Sequence, residues 1–247
     1  MRRILDSLLP VVVVSLSTAL PALAQAPPPT KVWTESASAG LTVTSGNSDT
    51  TTFNIGYDLV RDPKRRNLIK SDGLFLRGKS NGELTADRLA LNGRDEFKLL
   101  DRSFVFGQMQ YVRDQFKSID YLVAPTGGIG YRLVDGPATK LSVDAGLGLV
   151  AEKNPGLDVT TTGAVTYGDK LSHQLTKTTT LTQSLMALHR TDDFADSLYA
   201  LSIAVAAALT ERTQLKLEFL DTYKNRIVAP GFVRNDVTVI MALVFKN

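Results

Sequence analysis

The residues of this chain whose types could do chemistry are few: two histidines, His173 and His189, three aspartates in the segment 191–196, and scattered hydroxyls. A histidine works as general base only where a hydroxyl lies within hydrogen-bond reach of its ring. Ser172 adjoins His173, but neighbours on a strand point to opposite faces, so the two do not meet. Asp192 and Asp193 could orient His189, yet no His-x-Ser-Asn arrangement accompanies it. Both histidines therefore read as polar strand-end residues, and no catalytic residue is assigned. Asp192, Asp193 and Asp196 resemble a calcium site in charge, but the segment lacks the glycine and the closing glutamate of an ordered calcium loop. It reads as a solvated acidic loop. Gly127-Gly128-Ile129-Gly130 lacks the Lys-Ser/Thr that completes a phosphate loop, and glycine in a strand more often relieves crowding. Lys64-Arg65-Arg66 could meet anionic headgroups or peptidoglycan, but a soluble turn after Asp62-Pro63 is preferred. With no cysteine, zinc–thiolate sites, disulfides and thiol nucleophiles are excluded. The expectation is a protein without metal or cofactor and not an enzyme.

The elements that must position these residues declare themselves by period. In LTVTSGNSDTTTFNIGYDL, Leu41 to Leu59, two alternating runs flank a Gly-Asn-Ser-Asp turn, the pattern of an antiparallel hairpin. Alternation recurs to the end of the chain. Strands are expected at about 33–45, 50–61, 67–79, 86–99, 103–113, 119–133, 140–152, 159–171, 178–189, 197–209, 213–224 and 235–246. Most are longer than the roughly five or six residues of a soluble sandwich strand and reach the roughly 9–11 that a tilted membrane strand needs. Tight connections such as Leu100-Asp101-Arg102 alternate with longer ones such as Arg190 to Asp196, as at the two ends of an outer-membrane barrel. The fold class expected is all-β, a transmembrane antiparallel up-and-down β-barrel of about twelve strands in a single domain. Arg2-Arg3, the apolar run Leu8 to Leu20 and Ala22-Leu23-Ala24 read as a signal peptide over 1–24, followed by a Pro-rich leader over 25–32 and a barrel over 33–247. The location expected is the outer membrane. A balance of 28 basic and 25 acidic residues is too mild to imply nucleic acid.

In this frame Asp58, Arg88, Arg94, Glu96, Lys98, Asp144, Lys216 and Glu218 fall on lumen faces, with mixed sign. Mixed signs suit either a paired network that braces the barrel or a weakly selective polar pore. Phe245, close to the end of the last strand, is expected to act as the assembly signal. Two strands resist: 67–79 declares no face, and in 86–99 Asp87 and Asp95 share the face of Leu89, Leu91 and Phe97. Those carboxylates sit at the two membrane interfaces, or the register slips.

Trp33, Gly40 and Thr44-Ser45-Gly46-Asn47-Ser48-Asp49-Thr50 resemble the opening of the salt-induced outer-membrane protein family. Arg113-Asp114-Gln115-Phe116, Ile119-Asp120-Tyr121 and Gly128-Ile129-Gly130-Tyr131 extend the likeness over nearly the whole mature chain. The resemblance implies a barrel of unassigned role, linked to salt or osmotic stress, with no catalytic residues to carry over. One departure is the ending Phe245-Lys246-Asn247, where such proteins usually finish on an aromatic residue. Outer-membrane lipid and the barrel-assembly machinery are the expected partners, and no residue pattern assigns an oligomeric state. An outer-membrane hydrolase and a soluble periplasmic β-sandwich that binds a ligand are the alternatives.

Overall fold

Trp33 to Thr44 pairs antiparallel with Thr50 to Arg61 from Trp33↔Arg61 to Thr44↔Thr50, and the alternation of the first hairpin becomes two unlike faces. The computed structural model describes residues 32–44, 50–63, 65–227 and 234–247. The signal-peptide expectation, the leader but for Val32, the Gly46 turn and Lys64 lie outside them. Twelve strands follow in chain order: β1 (Trp33–Thr44), β2 (Thr50–Arg61), β3 (Asn67–Ser80), β4 (Glu83–Lys98), β5 (Ser103–Asp114), β6 (Ile119–Asp135), β7 (Thr139–Lys153), β8 (Thr160–Gln174), β9 (Thr179–Arg190), β10 (Ser197–Ala208), β11 (Thr213–Lys224) and β12 (Asn235–Lys246). Each pairs with its chain neighbours, and β1 pairs with β12 from Ser36↔Lys246 to Ala39↔Leu243, so the sheet closes. The architecture is an all-β, closed, antiparallel up-and-down barrel. Among the described residues no helix is long and apolar enough to cross a membrane, and the barrel closes along the four-pair seam between Ser36–Ala39 and Leu243–Lys246.

The outward face is an apolar belt. Ile55, Ile129, Leu147, Leu149, Leu217, Val239 and Met241 are all exposed, far more contiguous apolar surface than a water-soluble protein tolerates. Trp33, Phe97, Tyr131 and Phe245 edge the belt near the tight-turn end, while Tyr121, Tyr199 and Tyr223 lie towards the other end, in keeping with two interface girdles.

The troublesome strands resolve physically. Asn81 and Gly82 take positive φ of 50° and 84°, a two-residue turn that matches strand twist. β3 and β4 therefore run up to the turn itself, and β4 starts at Glu83, three residues before the expected start at 86. A register shift at Gly78/Lys79 absorbs the mismatch. Below it the register is unbroken, and the two carboxylates sit at opposite ends: Asp87 pairs with Arg113 near the turn at Asn81, and Asp95 accepts from Asn67 Nδ2 at 3.3 Å near the other end. β3 hides its period because small or polar residues, Ser71 and Gly73, face outward while Leu74 and Leu76 face inward.

Phe245 faces outward between Ala37 of β1 and Thr213 of β11, at the closing seam. Phe245→Ser removes about 2 kcal/mol of apolar contact with lipid. It should lower the heat-modifiable folded fraction on a detergent gel well below that of a chain lacking Lys246 and Asn247.

Candidate functional site: a lumen with a sealed half and a wet half

Alternate residues of every strand point inward, and their chemistry changes along the barrel axis. Towards the end with the longer loops the inward residues are apolar and meet one another. Val112, Leu122, Val150, Leu188 and Leu198 form one buried cluster with Ile119 there, while Leu76, Leu220, Ile240 and Ala242 form a second nearer mid-height, where Ile240 and Ala242 pair in register with Glu218 and Lys216. Ile119 is 1% exposed and Val150 0%. Side chains packed this tightly fill the space between them.

Long charged side chains cross the same half. Arg88 Nη1 of β4 donates to Asp114 Oδ2 at 3.2 Å and to Thr222 Oγ1 of β11 at 2.8 Å. β4 and β11 stand nearly opposite in the strand order, so this side chain spans the lumen. Gln115–Lys117 is a single 3-10 turn whose first N–H groups are capped by Asp114. It carries Lys117, fully buried, whose Nζ lies 2.8 Å from Asp236 Oδ2 and donates to Arg234 O at 2.9 Å. Lys224 of β11 reaches Glu152 of β7, which also receives Asn154 Nδ2 at 2.9 Å and lies 3.6 Å from Arg190. Buried charges persist only when paired and hydrogen-bonded, and these are.

Towards the tight-turn end the lumen is more polar, with a buried cluster on one wall and exposed inward residues elsewhere. Arg94 donates to Glu96 and Asp144, each at 2.9 Å, and to Gln108 at 2.8 Å. Its guanidinium lies 3.7 Å from the centroid of Phe106. Lys70 donates to Glu96 at 2.8 Å. Glycines on β6 make room for this wall. Gly128 and Gly130 pair with Phe106 and Phe104, and a Cβ on Gly130 would collide with the Phe104 ring. Across the lumen Lys216 and Glu218 pair at 2.8 Å, and Ser202 donates to Glu218 at 2.6 Å. Asp58, Lys170 and Thr182 point inward yet are exposed, so water reaches this half.

The lumen candidates thus divide. Arg94, Glu96 and Asp144 meet in one cluster and Lys216 meets Glu218. Asp58 accepts from Ser36 Oγ at 3.4 Å, Lys98 sits at the rim 3.5 Å from Asp101, and Arg88 belongs to the seal. Sequence reasoning missed Lys70, Asp114, Lys117, Glu152, Arg190, Lys224 and Asp236. Two of these were within reach: the inward series Asp144, Gly146, Gly148 continues to Glu152, and Lys216, Glu218 continues to Lys224.

The catalytic candidates have other employment. His189 faces outward, stacked on Phe194 at a centroid distance of 4.5 Å. Its Nδ1 donates to Phe194 O at 2.9 Å, which leaves Nε2 to accept from Tyr199 and Tyr167 at 3.0 and 3.1 Å. Ser197, opposite in register, directs its hydroxyl to Ala195 O. His173 Nδ1 meets Thr139 Oγ1 at 2.7 Å. The acidic loop converges on arginines rather than on a common point: Arg190 lies 3.4 Å from Asp192 and 3.6 Å from Asp196, and Arg226 lies 2.6 Å from Asp193. The hydrogen bond from Arg190 holds the Asp192 carboxyl below its ordinary range. Burial pushes Asp196 up against the opposing pull of Lys224. Among the described residues no group of His, Asp and Glu could hold a metal ion.

Residues 37–246 match the family described as protein of unknown function, DUF481. The chain belongs to this family. It is 26% identical over 127 residues to the uncharacterised protein YdiY of Escherichia coli (strain K12), across 51% of this chain and 50% of YdiY, so the match spans about half the length of that relative. Among solved structures, the NanC porin superposes with a TM-score of 0.50 at 9% identity, covering 87% of this chain and 99% of the porin. An outer-membrane channel from Pseudomonas putida F1 gives 0.49 at 13% identity, covering 89% and 96%. At such identities the likeness to the NanC porin is one of fold: an outer-membrane type of barrel.

The two halves should respond differently to loss of charge. Glu152→Ala strands Lys224 in the seal, while Arg190 keeps Asp192 and Asp196, and should cost about 3–5 kcal/mol in denaturant unfolding of the reconstituted barrel. Lys216→Met, in the wet half, should cost about 1 kcal/mol or less. Gly130→Ala should cost about 1–3 kcal/mol by displacing Phe104.

Proposed function

We propose that the protein is an outer-membrane barrel that passes no solute in the form described here, sealed at its loop end and opening as a polar vestibule into the periplasm. The observation that carries this reading is the loop-end lumen, filled by buried apolar side chains and crossed by Arg88, Lys117 and Lys224. The orientation rests on the rule that barrels turn tight connections and termini to the periplasm and longer loops outward. The exposed apolar belt supports outer-membrane lipid as its solvent and the barrel-assembly machinery as its route there. The role is structural, in an envelope responding to salt or osmotic stress, and not enzymatic. The engagement of both histidines with tyrosine, threonine and carbonyl partners supports that last point.

A narrow, weakly selective pore is the second reading. It is favoured by the mixed charges of the wet half, which would line a path if the seal parted.

In a planar bilayer the unmodified protein should show no porin-sized steps, whereas Arg88→Ala combined with Lys224→Ala should admit current by removing two side chains that cross the lumen. Large stable currents from the unmodified protein would exclude the sealed barrel. For the physiological role, a strain lacking the protein should grow normally at low sodium chloride and poorly at high. Equal growth at both would remove the stress link and leave the barrel reading standing.

A further inference from the structure

At the rim of the tight-turn end, Lys98 N–H donates to Arg66 O at 2.8 Å and extends the β3–β4 ladder to the foot of the connection 99–102 between β4 and β5. A cavity of about 690 Å³ lies there, lined by Arg65, Arg66, Lys98, Arg102, Asp101 and Tyr131 among others. Among the described residues that line it the one acid, Asp101, sits 3.5 Å from Lys98. Among the described residues no ion pair engages Arg65, Arg66 or Arg102.

The surface below the cations is apolar. Phe97, which pairs with Val105, and Tyr131, which pairs with Ser103, face outward and are exposed. The Arg66 guanidinium stands 6.0 Å from the Phe97 centroid, at the boundary between rim and belt. Leu99 and Leu100 are exposed beside it. Guanidinium groups grip phosphate oxygens through paired N–H donors, and basic pockets beside membrane-spanning elements take lipid headgroups. A free phosphate would use the cations and waste the apolar strip. A phospholipid uses both.

We propose that this rim is a binding site for an anionic phospholipid, its phosphate held by Arg65, Arg66 and Arg102 and its acyl chains lying along Phe97 and Tyr131. The site rests on the barrel reading above, since the turn end must lie at a phospholipid leaflet. The acyl chains bury the apolar strip that the turns leave uncovered, and the headgroup neutralises the arginines.

The test is native mass spectrometry of the folded barrel released from detergent with equal amounts of phosphatidylglycerol and phosphatidylcholine. The protein should retain phosphatidylglycerol preferentially, and each arginine changed to glutamine should lower the preference about fivefold. R65Q/R66Q/R102Q should abolish it while heat-modifiable gel mobility stays normal. Millimolar inorganic phosphate should not displace the lipid. No preference in the unmodified protein, or an undiminished one in the triple variant, overturns the site while an intact gel shift leaves the barrel standing. Displacement by phosphate alone, or arginine-dependent cosedimentation with peptidoglycan in place of lipid binding, overturns the assignment to phospholipid. An unmodified protein that shows no gel shift overturns the barrel reading and this site with it.

Discussion

A strand surrounded by lipid has no water to satisfy its backbone, so each must find a hydrogen-bonded neighbour on both sides. The short seam between Ser36–Ala39 and Leu243–Lys246 supplies the last of those pairings, and everything else depends on it. Once the sheet is closed, each residue belongs either to the lipid face or to the lumen. Exposed Leu147 and buried Val150 differ in direction, not in kind. Closure also sets an interior volume that the chain must either fill or leave to water.

The chain does both, at different heights. At the loop end the interior is treated like the core of a soluble protein, with apolar clusters flanked by charged groups whose partners stand on distant strands. Such pairs add little net stability over apolar packing, but each is costly to break. They join wall to wall: Arg88 ties β4 to β11, and Glu152 gathers β7, β9 and β11 through Lys224 and Arg190. At the turn end Lys70, Arg94 and Glu96 pair on β3 and β4 and Arg94 reaches Asp144 on β7, while inward Asp58, Lys170 and Thr182 are exposed. Phe104 and Phe106 stiffen the wall by lying over glycines of the next strand.

How far the sequence reached follows from what a period of two encodes. It names a strand and its faces, so β1, β2, β11 and β12 were legible to within a residue, as were the inward Lys216 and Glu218. It failed to show a face where bulk and face disagree, as in β3, where Ser71 and Gly73 look outward. It says nothing of what lies across a barrel. Lys224 and Glu152 are 72 residues apart and Arg88 and Thr222 are 134 apart, joined by closure alone. Lys117 sits on a single 3-10 turn, where no alternation can flag it. The pore and brace alternatives could not be separated from sequence because both need the same mixed charges.

The absence of cysteine makes the central claim directly measurable, since any introduced thiol is the only one in the chain. Single cysteines at Val150, in the sealed half, and Thr182, in the wet half, would be challenged with a water-soluble maleimide on the folded barrel. The account predicts rapid labelling of Thr182→Cys and none of Val150→Cys until the barrel is unfolded. Labelling of both at similar rates in the folded protein would contradict a lumen closed at its loop end.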